Sequence, residues 1–236
     1  CKANGCLPKG NNNYGKDASE GGYKAIPAPG VNDSGRTARV LTGTGPVSWS
    51  HDGTLEGIWD MNGNIWELNG GVRTVKGELH VLVNNNAADL DHSQAASSAQ
   101  WKAIDATTGA YITPNGSGTT TNSIKLDWVS GKITYSATIT TQADASRDCA
   151  FASVTCASSV SAAAQAVLKA LALLPASATA SEYEDDHMWM NNGADERAFF
   201  SGGRWVSGAT AGLFALNGHG PRSGSDWGIG FRSAYV

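Results

Sequence analysis

The sequence predicts an α+β chain built mainly from β-hairpins, with one helix and long irregular stretches. Three observations carry that expectation. Gly occurs 29 times among 236 residues and only 16% are charged, a balance that suits a backbone that bends often and leaves few long helices. Residues 123–138, "SIKLDWVSGKITYSAT", alternate apolar and polar positions on either side of Ser130-Gly131, the pattern of two strands and a two-residue mirror-image turn. Residues 160–174, "VSAAAQAVLKALALL", form the most apolar run and read as a helix that stops before Pro175, with Ser158, Ser159 or Ser161 as its N-cap. A hydrophobic share of 41% is enough for a packed core, and a single domain over residues 1–236 is expected.

Residues 1–50, with "KGNNNYGKD" and "AIPAPGVNDSG", lack periodic apolar pattern and predict irregular chain packed over something else. Residues 57–83 then bring aromatic and β-branched residues, with turns expected at Asn62-Gly63 and Gly70-Gly71. Residues 100–141 predict a hairpin insertion: one hairpin around Thr108-Gly109, and the one at Ser130-Gly131, with Ile124, Leu126 and Trp128 facing Ile133, Tyr135 and Ala137 on one apolar face. After the helix, the acidic run in "SEYEDDHMWMNNGADERAFF" predicts a solvated turn that enters a strand with Met188 and Met190 on one face.

Several function classes recede on composition. The net charge is −4, with 17 Lys and Arg against 21 Asp and Glu, so no basic face is expected for a nucleic-acid backbone. The helical run is shorter than the ~20 residues of a membrane span and contains Lys169. Cys1, Cys6, Cys149 and Cys156 allow two local disulfides, reduced structural thiols or, at poorer spacing, a four-thiolate zinc site. Cys1 also allows a lipidated start, which depends on sequence upstream. His51, His80, His92, His187 and His219 are scattered without a metal-binding spacing, and no nucleophile elbow, phosphate loop or C-x-x-C is present.

Two stretches point further. "GIWDMNGNIWELNGG" (residues 57–71) resembles the G-x-x-D-x-x-G-N-V-W-E-W segment of the formylglycine-generating, sulfatase-modifying family, and residues 197–236 resemble that family's R-x-x-x-x-G-G-x-W … G-F-R ending. The tail is still more similar to the variable region of proteins diversified by retroelements, and "PKGNNNYGKD" and "LTGTGPVSWSHDGT" resemble phage-encoded members of that group. The resemblance implies a variant of the C-type lectin fold and a binding role: a phage tail-fibre protein that recognises a host cell-surface protein or glycan, as a homotrimer or attached to a larger fibre, on the virion. A variable lipoprotein on a bacterial surface is the alternative.

In such proteins adenines of AAC-type codons are rewritten, which never yields Lys, Glu, Gln, Met or Trp; residues 201–236 contain no Lys, Glu, Gln or Met. The resemblance thus implies a diversified ligand-binding set of Arg204, Val206, Ser207, Thr210, Asn217, His219, Gly220, Ser223, Gly224, Ser225, Asp226 and Gly228. Trp205, Phe214, Trp227, Ile229 and Phe231 would be its anchors, with Trp205, Trp227 and Phe231 buried. The family's copper chemistry uses a cysteine pair near the G-G-x-W segment, whereas no cysteine follows Cys156 here; a binder rather than an enzyme is expected. Its calcium site carries over to the Asp60 and Glu67 side chains with the Gly63 and Ile65 carbonyls, as a structural ion. The other reading is that Asp60 and Glu67 cap turns and bond backbone amides.

Overall fold

Nearly all regular structure is sheet in the computed structural model, which describes residues 7–22, 25–177 and 179–232. The described part of residues 7–50 is indeed mostly irregular. It holds a two-residue ladder, β1 (Asn32–Asp33) with β2 (Arg36–Thr37), turned by Ser34 and Gly35 at φ 53° and 80°.

The main sheet starts with β3 (Trp66–Val75) and β4 (Glu78–Val81), an antiparallel pair. Their turn is Lys76-Gly77, both at positive φ (47° and 85°), the mirror-image geometry that matches strand twist. Gly70-Gly71, expected as a turn, instead lies inside β3 as a bulge. The pairing of β3 with β12 (Arg197–Gly202) jumps from Asn69 to Arg73 between Phe199 and Ala198, and Gly71 takes φ 76°. A strand can therefore run through a Gly pair that locally reads as its end.

Next come β5 (Lys102–Ile104) paired with β6 (Tyr111–Ile112), and β7 (Lys125–Val129) paired with β8 (Lys132–Ser136). Ser130 and Gly131 have φ 51° and 77°, the mirror-image turn that their sequence predicts. These hairpins join the main sheet, since β4 pairs with both β5 and β7. The one-sided reading of the second hairpin fails: Ile124, Leu126, Ile133 and Tyr135 are buried, but so are Lys125, Asp127, Thr134 and Ser136. The polar face is covered by neighbouring chain. Asp127 accepts the N–H groups of Thr140 and Thr141 (both 2.9 Å), and the Lys125 ammonium donates to the Thr120, Ser123 and Ala137 carbonyls.

The remaining strands are β9 (Arg147–Ala150), β10 (Thr155–Cys156), β11 (His187–Met190), β13 (Gly212–Gly220) and β14 (Ile229–Gly230). The strand order is β10-β8-β7-β4-β3-β12-β13-β11-β9, with β14 added in parallel to β3. The sheet curls until β9 meets β8, where the Ile133 N–H points at Cys149 Sγ, 3.5 Å away. Inside lies the main core, including Leu79, Ile104, Leu126, Ile133, Met190 and Phe199. Met188 and Met190 both point into it, as expected. Asp186, expected on a solvated turn, is only 1% exposed.

Asn192 fastens the curl. Fully buried, its amide N–H groups donate to the Leu126 and Thr141 carbonyls (3.0 Å each) and its amide oxygen accepts from Ala143 N–H (3.0 Å) and the Arg147 guanidinium. One side chain thus ties β7, the 139–144 segment and the end of β11 together.

The helix α1 (Ala162–Ala170) is shorter than predicted. Ser161 is its N-cap, its hydroxyl accepting Ala164 N–H at 3.2 Å. It ends at Leu171 because Ala172 turns left-handed (φ 55°), with Ala172 N–H on the Lys169 carbonyl (3.0 Å) and Leu173 N–H on the Leu168 carbonyl (2.9 Å). This is a Schellman stop, and it directs Leu173 and Leu174 into the core. Of the four cysteines, Cys149 and Cys156 are free thiols, and burial pushes both thiols up. Cys1 and Cys6 lie outside the described residues.

Two stability measurements follow from this geometry. Ala172→Gly relieves the left-handed strain at an exposed site and is expected to stabilise by about 0.5–1 kcal/mol in denaturant unfolding. Asn192→Ala leaves carbonyls and an N–H group buried without partners, and is expected to cost about 3 kcal/mol or more.

Candidate functional site

The two stretches that carry the resemblance lie some 140 residues apart and meet in space. The turn at Asn62-Gly63-Asn64 packs on the loop that leaves β12. Gly63 N–H donates to Gly202 O (2.8 Å) and Trp205 N–H to Asn64 O (3.3 Å). Gly63 has φ 76° and lies so close to residue 11 that a Cβ there would come within 2.3 Å of Asn11 O, so no other residue fits.

The N-terminal chain completes this base. Asn11, Asn12, Asn62 and Asn64 are all buried and bond one another: Asn11 Nδ2 to Asn64 Oδ1 (3.2 Å) and Asn12 Nδ2 to Asn62 Oδ1 (3.1 Å). Asn11 also reaches Ala38 O (2.8 Å), Asn64 Oδ1 accepts Val40 N–H (2.8 Å), Asn62 reaches Pro8 O (3.1 Å), and Asn12 bonds Asp17 (2.9 Å). The tail rests on this base through main-chain atoms. Tyr14 N–H donates to Trp205 O (2.8 Å), Gly208 N–H to Asn12 O (2.8 Å) and Trp66 N–H to Gly228 O (2.7 Å).

The tail residues fall into three groups. Ser223, Ser225 and Asp226 are exposed, and Arg204, Val206, Ser207, Thr210, His219, Gly220 and Gly224 are half-buried. Asn217 and Gly228, expected to face solvent, are buried. Asn217 uses its Oδ1 to accept His219 N–H (3.0 Å), and Gly228 lies under the Arg204 side chain and the Trp205 ring. Arg204 and Asp226 approach to 3.9 Å, and Ser207 Oγ accepts Arg204 N–H at 3.1 Å. His219 Nδ1 is buried without a partner among the described residues; burial, then the nearby Arg197, holds its pKa below the ordinary value.

The anchor assignment also divides. Trp205 is 5% exposed, its indole N–H on Asp33 (3.1 Å). Phe214 packs on the core between Phe151 and Tyr183. Trp227 and Phe231, expected to be buried, are 62% and 79% exposed. The reason lies in the glycines between them: a Cβ at Gly230 would stand 2.5 Å from Ile65 Cδ1, and one at Gly228 3.1 Å from Arg204 Cδ. The inward positions of "WGIGF" lie so close to the protein that a larger residue at either would have to push the Ile65 or Arg204 side chain aside, and Trp227 and Phe231 turn outward. That glycine alternation was the available signal.

The two carboxylates proposed as calcium ligands have protein partners. Both Glu67 carboxylate oxygens take the Arg232 guanidinium (2.6 and 3.0 Å), which also bonds Trp59 O (2.9 Å). Asp60 Oδ2 accepts Gly43 N–H (3.2 Å), its Oδ1 has no partner among the described residues, and burial pushes its carboxyl up to about 6. At the other two positions it is the Gly63 N–H that bonds Gly202 O and the Ile65 side chain that packs beneath Gly230, rather than the two carbonyls. Among the described residues no three His, Cys, Asp or Glu side chains gather. Arg232 already supplies a positive charge at Glu67, and the bond from Gly43 N–H to Asp60 is a contact of the kind that the turn-bonding reading names.

Compared with family models and with curated proteins, the chain matches none.

A second acidic group positions the tail from the inner side. Asp186 Oδ2 accepts Phe214 N–H (2.7 Å) at the start of β13, and Gly212 lies against its other oxygen. Burial pushes this carboxyl up to about 7, against the opposing hydrogen bond. The folded form then holds its proton more tightly than the unfolded chain, whose Asp titrates near 3.8. The stability this group contributes is present at low pH and lost as pH rises through about 7. Asp186→Asn is expected to raise the melting temperature at about pH 8 and to flatten its pH dependence between about 4 and 7, read by thermal melts.

Proposed function

We propose that this chain is a recognition module whose C-terminal surface is diversified by a retroelement, carried by a phage tail fibre and directed at a protein or glycan on the host cell. The observation that carries the reading is how the tail is held. Its loops are fixed by main-chain hydrogen bonds to residues 12, 14, 64 and 66, which are indifferent to the side chain at each position. Ser223 and Ser225 are exposed near Trp227, so side-chain identity there is free to vary at little folding cost, whereas the exposed Asp226 also accepts Gly228 N–H (2.6 Å). Exposed aromatics are frequent energetic centres of interfaces, and the outward Trp227 and Phe231 join the recognition set on that ground.

A lectin-type architecture is part of the proposal. It is supported by the contact between the 57–71 segment and the Gly202–Trp205 loop, the two places where the sequence resembles that family. Copies of the module would act together as a trimer or on a larger fibre, since avidity offsets weak single contacts.

The test separates folding from binding. Substitutions at Ser223 and Ser225 are expected to change unfolding free energy by less than about 0.5 kcal/mol each, while Trp205→Ala costs about 3–5 kcal/mol. Trp227→Ala is expected to weaken adsorption to receptor-bearing cells by about tenfold or more at near wild-type stability. Adsorption unchanged by every tail substitution would sink the reading. A neighbouring near-copy of the tail-coding DNA with AAC codons at diversified positions such as Ser223 and Ser225 would support the retroelement.

A further inference from the structure

We propose that the pocket between the turn at residues 13–16 and the β1–β2 hairpin binds the anionic unit of an acidic glycan. The pocket measures about 320 Å³ and is lined by Asn13, Tyr14, Lys16, Gly22 and Arg36. Among the described residues its lining has two cations and no carboxylate, in a chain whose net charge is −4. Among the described residues neither Lys16 nor Arg36 makes an ion pair, whereas most other Arg side chains do. Two like charges facing one cavity repel, and an anion between them removes the repulsion.

The Arg36 cation is held in place, and Lys16 is fixed through its main chain. The Arg36 guanidinium lies over the Tyr14 ring, 3.4 Å from its centroid, and bonds the Tyr14 hydroxyl; β1–β2 pairing sets its position opposite Asp33. Tyr14 takes a left-handed φ of 51°, rare for a bulky residue. It is kept there by its N–H on Trp205 O (2.8 Å) and by Gly15 N–H on Asn11 Oδ1 (2.7 Å). Lys16 is tied to Asn13 through its carbonyl, which accepts Asn13 N–H at 2.9 Å.

The lining selects the chemistry. A planar guanidinium pairs with a carboxylate in two parallel hydrogen bonds, Lys16 adds a point charge, and the Asn13 amide offers a partner to a hydroxyl. The volume suits one sugar ring, and among the described residues the lining offers no apolar wall for a peptide side chain apart from the Tyr14 ring. Tyr14 is bonded to Trp205, so the pocket borders the 204–210 loop. A charged unit held here would give the recognition surface a constant subsite beside its variable one; that use, though not the binding itself, rests on the function proposed above.

The experiment titrates glucuronate, glucose and N-acetylglutamate into the whole chain at low salt, followed by NMR. Glucuronate is expected to bind with a Kd of about 1 mM, at least about tenfold tighter than glucose and tighter than N-acetylglutamate, and to weaken as salt rises. Lys16→Gln and Arg36→Gln should each weaken it at least about threefold, and the double variant should lose it at an unchanged melting temperature. Glucuronate binding no better than glucose, or equal binding by the double variant, overturns the proposal; tighter binding of N-acetylglutamate overturns its assignment to a glycan. Trp227→Ala should leave this titration unchanged, so failure here and failure of the tail reading are separate results.

Discussion

Four buried asparagine side chains, Asn11, Asn12, Asn62 and Asn64, carry the geometry on which the candidate surface depends. A primary amide offers two donors and an acceptor with two lone pairs, and here each is spent on joining segments that share no regular structure. Through Asn11 and Asn64 the N-terminal chain reaches residues 38–40, and through Asn12 and Asn62 it reaches Pro8 and Asp17. Their own backbone groups then receive the loop at residues 202–208. An irregular region in which buried polar groups are satisfied in this way is as defined as a sheet, because every slip would leave an amide unpaired in a dry environment.

The same device recurs in the body of the fold. Asn192 closes the curled sheet, and Glu78 collects His80 (2.7 Å), Ser123 (2.8 Å) and Thr120 (2.7 Å) in a fully buried cluster. Burial alone would raise the Glu78 carboxyl; the hydrogen bonds from His80, Ser123 and Thr120 outweigh it and hold the group down to about 2. Asp60 and Asp186 show the opposite balance, with burial winning and their carboxyls raised to about 6 and about 7. Both stand beside the tail, so a modest destabilising charge is stored next to the surface while the deeper cluster stays well satisfied.

That arrangement separates two tasks usually shared by the same side chains. Main-chain bonds hold the tail in place, Trp205 and Phe214 fill the space beneath it, and Gly228 and Gly230 allow it to lie close. The exposed side chains of Ser223, Ser225, Trp227 and Phe231 have little structural duty. The arginines at the edges join this frame: Arg232 on Glu67, and Arg222 on Glu196, which in turn holds the buried Arg73 (2.8 Å) against the Trp101 ring.

The elements with a local period were legible in the chain itself. Alternation and Ser130-Gly131 specified the β7–β8 hairpin, an apolar run behind a serine specified α1, and Met188 and Met190 announced the inward face of β11. In each case neighbours in sequence are neighbours in space, so local propensity and packing agree. The contacts that the tertiary structure alone decided are those between distant segments. Gly70-Gly71 became a bulge because β12 pairs across it, Asp186 went inside because β13 offered it an N–H group, and Trp227 and Phe231 turned out because Ile65 and Arg204 occupy the space beneath Gly230 and Gly228. Whether a residue faces the core is a property of what lies opposite it, and the sequence of one segment does not contain the position of the other.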